Sequence, residues 1–117
     1  MNLRQIEDAL GLVNMTPELS AGASKDIAGG YCSDLLSDVL AHAPRGGVLV
    51  TIQVHMNVVA VAVHAELAAV ILASGRIPDE EVCRTAVKEG VALYSSSQCA
   101  FDVVCQLYAL GLRGTHE

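Results

Sequence analysis

The side chains best suited to chemistry in this chain stand just after apolar runs. His55, flanked by Gln53 and Asn57, could contact a ligand or act as a general base, because an imidazole titrates near neutrality. The same trio also suits a strand-to-helix turn, with His55 or Asn57 as the helix cap. Asp34 and Asp38 lie four apart on one helix face, the spacing of an acid–base pair or of two metal ligands. Asp34 as a cap and Asp38 as a solvated residue would explain them equally. Neither a histidine nor a third carboxylate stands close enough in sequence to complete a metal shell. Ser95, Ser96 and Ser97 could offer hydroxyl and N–H groups to a phosphate or carboxylate, or could cap the helix that follows. Arg76, beside Gly75, carries the positive charge an anionic ligand would want. His42 and His64 sit beside apolar residues in helical segments and read as surface or interface histidines. A nucleophile elbow is missing, as is a cysteine with a local histidine and acid. These groups can bind, but they do not assemble a reaction.

The elements that must position them follow from the hydrophobic pattern. Four apolar runs, at residues 27–31, 48–52, 68–73 and 91–94, each end in a polar cluster and are followed by a helix-like segment. This alternation predicts a mostly parallel sheet flanked by helices. All four clusters then fall along its C-terminal edge, where helix N-termini and loop polar groups converge in open α/β sheets. Ser33, Asp34, Gln53, His55, Asn57, Arg76 and Ser96 are accordingly expected to share one groove.

The remaining pattern fills in around that frame. Leu3, Ile6, Ala9 and Leu10 have helical spacing, stopped by Gly11. Residues 12–15 form a short extended piece, and 16–24 read as a loop. Gly29-Gly30 weakens a strand unless backbone must approach closely there. A helix after Asp34 should bury Leu35, Leu36, Val39 and Leu40, and Pro44-Arg45-Gly46-Gly47 ends it. Residues 57–66 are apolar all round, so the segment should be a helix buried on both sides. One side would face the sheet and the other a second subunit. Pro78 and the acids Asp79, Glu80 and Glu81 open a helix that Lys88 and Gly90 close. The last helix, capped by Ser97, should bury Phe101, Val104, Leu107 and Tyr108, and the tail from Arg113 should fray.

Composition bounds the partners. The chain has 117 residues, 52% of them hydrophobic, enough for one domain with its own core. Aromatics are only 3%, so base-stacking platforms are missing. The net charge is −6 with seven scattered Lys and Arg, which argues against a nucleic-acid partner. Charges at Arg4, Glu7 and Asp8 exclude a signal peptide, and the most apolar stretch, residues 58–72, is too short to span a bilayer. A cytoplasmic protein without membrane contact is expected. Cys32, Cys83, Cys99 and Cys105 show no zinc-type spacing and read as buried free thiols.

The segment Lys25-Asp26-Ile27-Ala28-Gly29-Gly30-Tyr31-Cys32-Ser33-Asp34 resembles the signature region of the DRTGG domain. Leu35-Leu36-Ser37-Asp38-Val39-Leu40, Thr51-Ile52-Gln53-Val54-His55-Met56-Asn57, Gly75-Arg76-Ile77-Pro78-Asp79 and Ala100-Phe101-Asp102 resemble stand-alone members of that family. The resemblance runs from about residue 3 to residue 112, although the naming pentapeptide survives only as Gly29-Gly30. It implies a fold like the N-terminal domain of HPr kinase/phosphorylase. It also implies a regulatory role, like that of related domains in CBS-domain pyrophosphatases and of regulators linked to iron-only hydrogenase systems. HPr kinase carries a P-loop in its other half, and this chain has no GxxxxGK[ST], so kinase activity does not carry over.

The sequence thus predicts a single α/β domain over residues 1–117 that is regulatory and non-catalytic. It is expected to be homodimeric and to need no cofactor or metal. Its ligand would be a small anionic or nucleotide-like metabolite, and its partner a protein of a metabolic or hydrogenase system. The competing reading is a protein-interaction subunit without a small-molecule ligand.

Overall fold

The computed structural model describes residues 1–114 of the chain. Five strands form one sheet: β1 (Val13–Asn14), β2 (Gly30–Cys32), β3 (Val48–Thr51), β4 (Ala69–Leu72) and β5 (Ala92–Ser95). Their spatial order is β1-β5-β4-β3-β2. Strands β2 to β5 are mutually parallel, and β1 pairs antiparallel with β5. The mostly parallel α/β architecture expected from the alternating runs is therefore what the chain adopts. Helices α1 (Leu3–Leu10), α2 (Leu36–His42), α3 (Met56–His64), α4 (Glu80–Glu89) and α5 (Ala100–Ala109) cover it. Residues expected to be a plain loop form a short 3-10 helix over Pro17–Ser24, with the proline in its first turn.

β3 and β4 are buried at every position, which is why both read as unbroken apolar runs. Successive side chains alternate between faces. Leu49, Val70, Leu72 and Leu93 pack against Val39, Val58, Val59, Ala62, Val82 and Ala86 of α2, α3 and α4. Val48, Val50, Ile71 and Tyr94 pack against Leu3, Ile6, Val103 and Leu107 of α1 and α5. The three crossover helices thus share one face, as right-handed parallel connections between sequential neighbours require. No helix among the described residues is long and apolar enough to cross a membrane.

Local signals explain the ends. Asn2 and Gln5 form a reciprocal capping box at α1, and Gly11 closes the helix with φ 63°. Gly47 is obligatory for another reason: a Cβ there would lie 2.7 Å from Pro44 Cγ and 3.0 Å from the Gly29 carbonyl oxygen.

Within one chain α3 buries Val58, Val59 and Ala62 against the sheet side and leaves Ala60 and Val63 exposed, so its outer face has no cover in the monomer. Several expectations are corrected. α5 buries Val103 and Leu107, leaving Phe101 77% and Tyr108 58% exposed. Two apolar stripes run along that helix, and periodicity cannot say which one meets the sheet. Leu35 and Leu40 of the α2 region are exposed, and Val39 alone is fully buried there. Cys99, not Ser97, stands at the α5 N-cap. The thiols are not buried: Cys32, Cys99 and Cys105 are exposed and Cys83 is half-buried. The tail is held as far as it is described. Arg113 accepts the Gly30 N–H at 3.0 Å, its guanidinium stacks 3.6 Å over the Tyr108 ring, and Gly114 bridges to Gly30. This close approach accounts for Gly30 in β2, where a Cβ would lie 3.3 Å from Leu112 Cδ2. Residues 115–117 lie outside the described residues.

Candidate functional site

The C-terminal ends of β2, β3, β4 and β5 lie along one edge, as the parallel register demands. Beyond β3 and β4 the chain forms a groove of about 570 Å³. Gln53, His55 and Arg76 line it together, joined by Asp79 and Glu81 from the start of α4. Ile52, Val54, Met56 and Val82 supply its apolar surface. Three of the seven expected site residues therefore meet, although they come from two loops more than twenty positions apart in sequence.

The other four hold the edge together rather than line the groove. Asp34 does not cap α2. Its Oδ1 accepts the Thr51 hydroxyl at 2.8 Å and the Ile52 N–H at 2.9 Å, tying the β2–α2 loop to the end of β3. Leu35 takes the N-cap position without a side-chain bond. Gln53 is positioned by the same knot: its Nε2 donates to the Asp34 carbonyl at 3.0 Å and its N–H to Thr51 Oγ1 at 3.2 Å. The Ser33 hydroxyl accepts the Leu35 N–H at 3.2 Å. Asn57 lies in the first turn of α3, where its N–H donates to His55 Nδ1 at 3.4 Å, so His55 is the cap of α3.

Ser96 is buried and its hydroxyl accepts the Gln98 N–H at 3.1 Å. It belongs to a second seam. The loop after β4 leads to the α4 face, while the loop after β5 leads to the α5 face. Neighbouring strands whose loops part in this way open a crevice in many α/β sheets. Here the two loops are stitched together instead. Ser74 N–H donates to the Gln98 carbonyl at 2.7 Å, Gly75 N–H to the Ser96 carbonyl at 2.7 Å, and the Ser95 hydroxyl to the Arg76 carbonyl at 2.8 Å. The last of these fixes the backbone that carries the Arg76 side chain to the groove. Ser74 adopts φ 62° at this turn, a left-handed conformation unusual for a residue with a Cβ.

Asp34 and Asp38 do not act as a pair, and, against expectation, a histidine does stand close in sequence: His42, one turn on, reaches Asp38. Asp38 accepts the Tyr31 hydroxyl at 2.8 Å through one oxygen and contacts His42 Nδ1 at 3.1 Å through the other. The hydrogen bonds from Tyr31, Ser33 and His42 hold the Asp38 carboxyl below the ordinary carboxylate range, and the same bond raises the Tyr31 phenol. Although Cys32 is exposed as a residue, desolvation by the protein around its sulfur, then the nearby Asp34 charge, raises the thiol, which makes it a poorer nucleophile.

Sequence reasoning missed Asp79 and Glu81 as groove residues because it assigned them to the α4 dipole. The available signal was their proximity to Arg76 in one strand-to-helix connection. It also missed Thr51, whose buried hydroxyl has no periodic signature inside an apolar run.

Together these features define an α/β fold with a mixed, mostly parallel sheet and a polar groove at its C-terminal edge. The same fold occurs in the CBS and DRTGG domains of the regulatory region of a Clostridium perfringens pyrophosphatase, solved in complex with its activator, diadenosine tetraphosphate. The two share 14% identity with a TM-score of 0.70, over 91% of this chain and 45% of that one. This chain therefore spans less than half the length of that regulatory region, and at this identity the likeness is one of fold. No protein-family model and no curated protein matches the sequence.

Proposed function

We propose that this chain is a non-catalytic regulatory module that senses a nucleotide-like or other small anionic metabolite in the groove at the C-terminal edge of the sheet. The observation that carries this reading is the convergence of Gln53, His55 and Arg76 on one groove with an apolar floor. Apolar surface accepts a base or ring, and a few placed polar groups orient it. Arg76 meets the anionic part of the ligand, and Gln53 and His55 meet its hydrogen-bonding edge. Asp79 and Glu81 accept hydroxyl groups. Ser33, Asp34, Asn57 and Ser96 act indirectly, by fixing the loops.

The likeness to a regulatory region that binds a nucleotide activator supports a regulatory rather than an enzymatic role. The motifs resembling stand-alone DRTGG proteins support placing the chain beside that family. On the same grounds we take it to be a cytoplasmic homodimer that signals to a partner protein of a metabolic or hydrogenase system. The exposed apolar face of α5 favours protein association as a second activity of the same module, not as a replacement for the ligand.

The test is a thermal-shift screen of the full chain against adenine and guanine nucleotides, dinucleoside polyphosphates and simple anions. A specific ligand raises stability by mass action. His55→Ala and Arg76→Ala should each weaken binding about tenfold or more, taking a charged hydrogen bond as ~1.5–3 kcal/mol. No stabilisation by any of these at millimolar concentration would leave the protein-interaction reading in its place.

A further inference from the structure

We propose that two copies of this chain associate through α5, each inserting Phe101 into a groove beside Tyr108 of the other. This rests on the homodimeric part of the reading above and is independent of the ligand.

The sequence of α5 sets it apart. α4 carries five charged residues in ten, Glu80, Glu81, Arg84, Lys88 and Glu89, as a solvated outer face should. α5 carries one, Asp102. Its outward stripe is Phe101, Val104, Cys105 and Tyr108, the i, i+3, i+4, i+7 spacing of a helix face that packs. Phe101 is 77% and Tyr108 58% exposed. At about 200 Å² for a whole aromatic side chain, these two leave roughly 300 Å² of apolar surface in water. Two copies double that to roughly 600 Å². A standard interface buries about 1,600 Å² in total, apolar at its centre and polar at its rim. The patch is therefore the right size for the centre of a dimer interface. The outward face of α3, with Val63 at 38% exposure its largest exposed apolar side chain, offers less.

Shape points the same way. Between α5, the edge strand β2 and the tail lies a mostly apolar groove of about 140 Å³, with Cys32 and Val50 on the sheet side, Val104, Leu107 and Tyr108 on the helix side, and Leu112 and Arg113, its guanidinium over the Tyr108 ring, on the tail side. A cavity of about 150 Å³ holds a benzene ring. Phe101 projects from the same helix about 10 Å away, seven residues at 1.5 Å per residue. Knob and hole thus sit two turns apart on one element. An antiparallel pairing of two α5 helices about a two-fold axis near Val104 and Cys105 places each knob at the other copy's hole. Such an isologous contact closes on itself and makes a dimer rather than a filament.

The experiment uses the full chain with Cys32, Cys83 and Cys99 changed to serine, treated with a short bismaleimide linker, alongside light scattering of the natural sequence. We expect a dimer at tens of micromolar and a covalent dimer through Cys105 that Cys105→Ser abolishes. Phe101→Asp should raise the dimer dissociation constant at least about 30-fold, the effect of losing a central aromatic anchor. Its circular dichroism should be unchanged, because Phe101 is exposed in the monomer. Val63→Asp should leave association intact. A monomer at these concentrations overturns both this interface and the homodimeric reading. A dimer that resists Phe101→Asp and dissociates with Val63→Asp overturns the α5 interface alone. Should the cysteine-depleted chain misfold, Phe101→Asp and Val63→Asp in the natural sequence still decide the question by mass.

Discussion

Replacing Asp34 by alanine should destabilise the protein by about 2 kcal/mol, and most of that cost should pass through Thr51. The carboxylate accepts two hydrogen bonds, from the Thr51 hydroxyl and the Ile52 N–H. A bond to a charged group contributes ~1.5–3 kcal/mol when its partner is left unsatisfied. Ile52 is half-buried and its N–H can turn to water, so that bond is replaced at little cost. Thr51 is fully buried, so its hydroxyl loses its acceptor without compensation. The figure of about 2 kcal/mol is therefore one charged bond rather than two. Urea unfolding reads it as a midpoint lowered by about 1 M, for a slope of 1–3 kcal/mol/M. A double-mutant cycle separates the mechanism from mere loop damage. Thr51→Val alone costs stability, but in the Asp34→Ala background it removes an orphaned donor at the cost only of the Gln53 N–H bond, which half-buried Gln53 can replace with water, so it should cost much less there. The coupling should be about 1 kcal/mol or more. Asp34→Asn keeps an acceptor oxygen and should lie between. If Asp34→Ala costs less than about 0.5 kcal/mol, or the two changes simply add, the knot does not hold this edge and the positioning of Gln53 needs another cause.

Three further outcomes are expected. In the groove, Arg76→Ala should weaken a ligand found by thermal shift while leaving the urea midpoint within error, because the side chain is exposed; His55→Ala should weaken it too but also lower the midpoint slightly, by loss of the α3 cap at ~0.5–1 kcal/mol, and titration calorimetry checks the binding. Asp38 is held below the ordinary carboxylate value by its bonds from Tyr31, Ser33 and His42. Its stabilising contribution is thus present above the unfolded value of about 3.9 and is lost as pH falls through the lower folded value. Asp38→Asn should flatten the acid limb of stability, and Tyr31→Phe should move the Asp38 carboxyl titration upward by NMR. Gly47→Ala should destabilise by about 1–3 kcal/mol, since its Cβ would strike Pro44 Cγ at 2.7 Å and the Pro44 carbonyl oxygen at 2.9 Å; urea unfolding reads the loss.

The sheet was legible because burial on two faces leaves short apolar runs, each bounded by turn signals, whereas the equally apolar residues 58–63 form a helix. Residues 48–51 and 69–72 are buried without exception, and the polar residue after each run marks where the strand must surface. Helix faces were less legible. α5 carries two apolar stripes, and the choice between them is made by its packing over β2 and β3, a long-range fact. α3 shows in the monomer only which of its faces meets the sheet, and alanine and valine can also occupy a half-exposed face at small cost, so composition alone does not say what covers the other. The placing of Gln53, His55 and Arg76 on one groove was legible because each follows a strand end, and a parallel register sends all such ends to one edge. The partners of Asp34 were not found. An aspartate before a helix usually caps it, and nothing local shows that a threonine 17 residues later competes for the same carboxylate.

That competition bears on what the groove can hold. A carboxylate from Asp34 facing the ligand would repel a phosphate, and its engagement by Thr51 and Ile52 removes this objection. Asp79 and Glu81 bring a new one. With one guanidinium and two carboxylates on its walls, the groove has no excess of positive charge for a bare polyphosphate. Under the proposed reading Arg76 would act locally, through a directional bond to one anionic group, and the carboxylates would face a part of the ligand that donates hydrogen bonds. A nucleoside-like molecule meets both demands, because its sugar hydroxyls can donate to Asp79 and Glu81 and its base can lie on Val54, Met56 and Val82. A free inorganic anion meets only the first. The arrangement of charge therefore favours a mixed ligand, with an anionic end and a hydroxyl-bearing body, over charge alone.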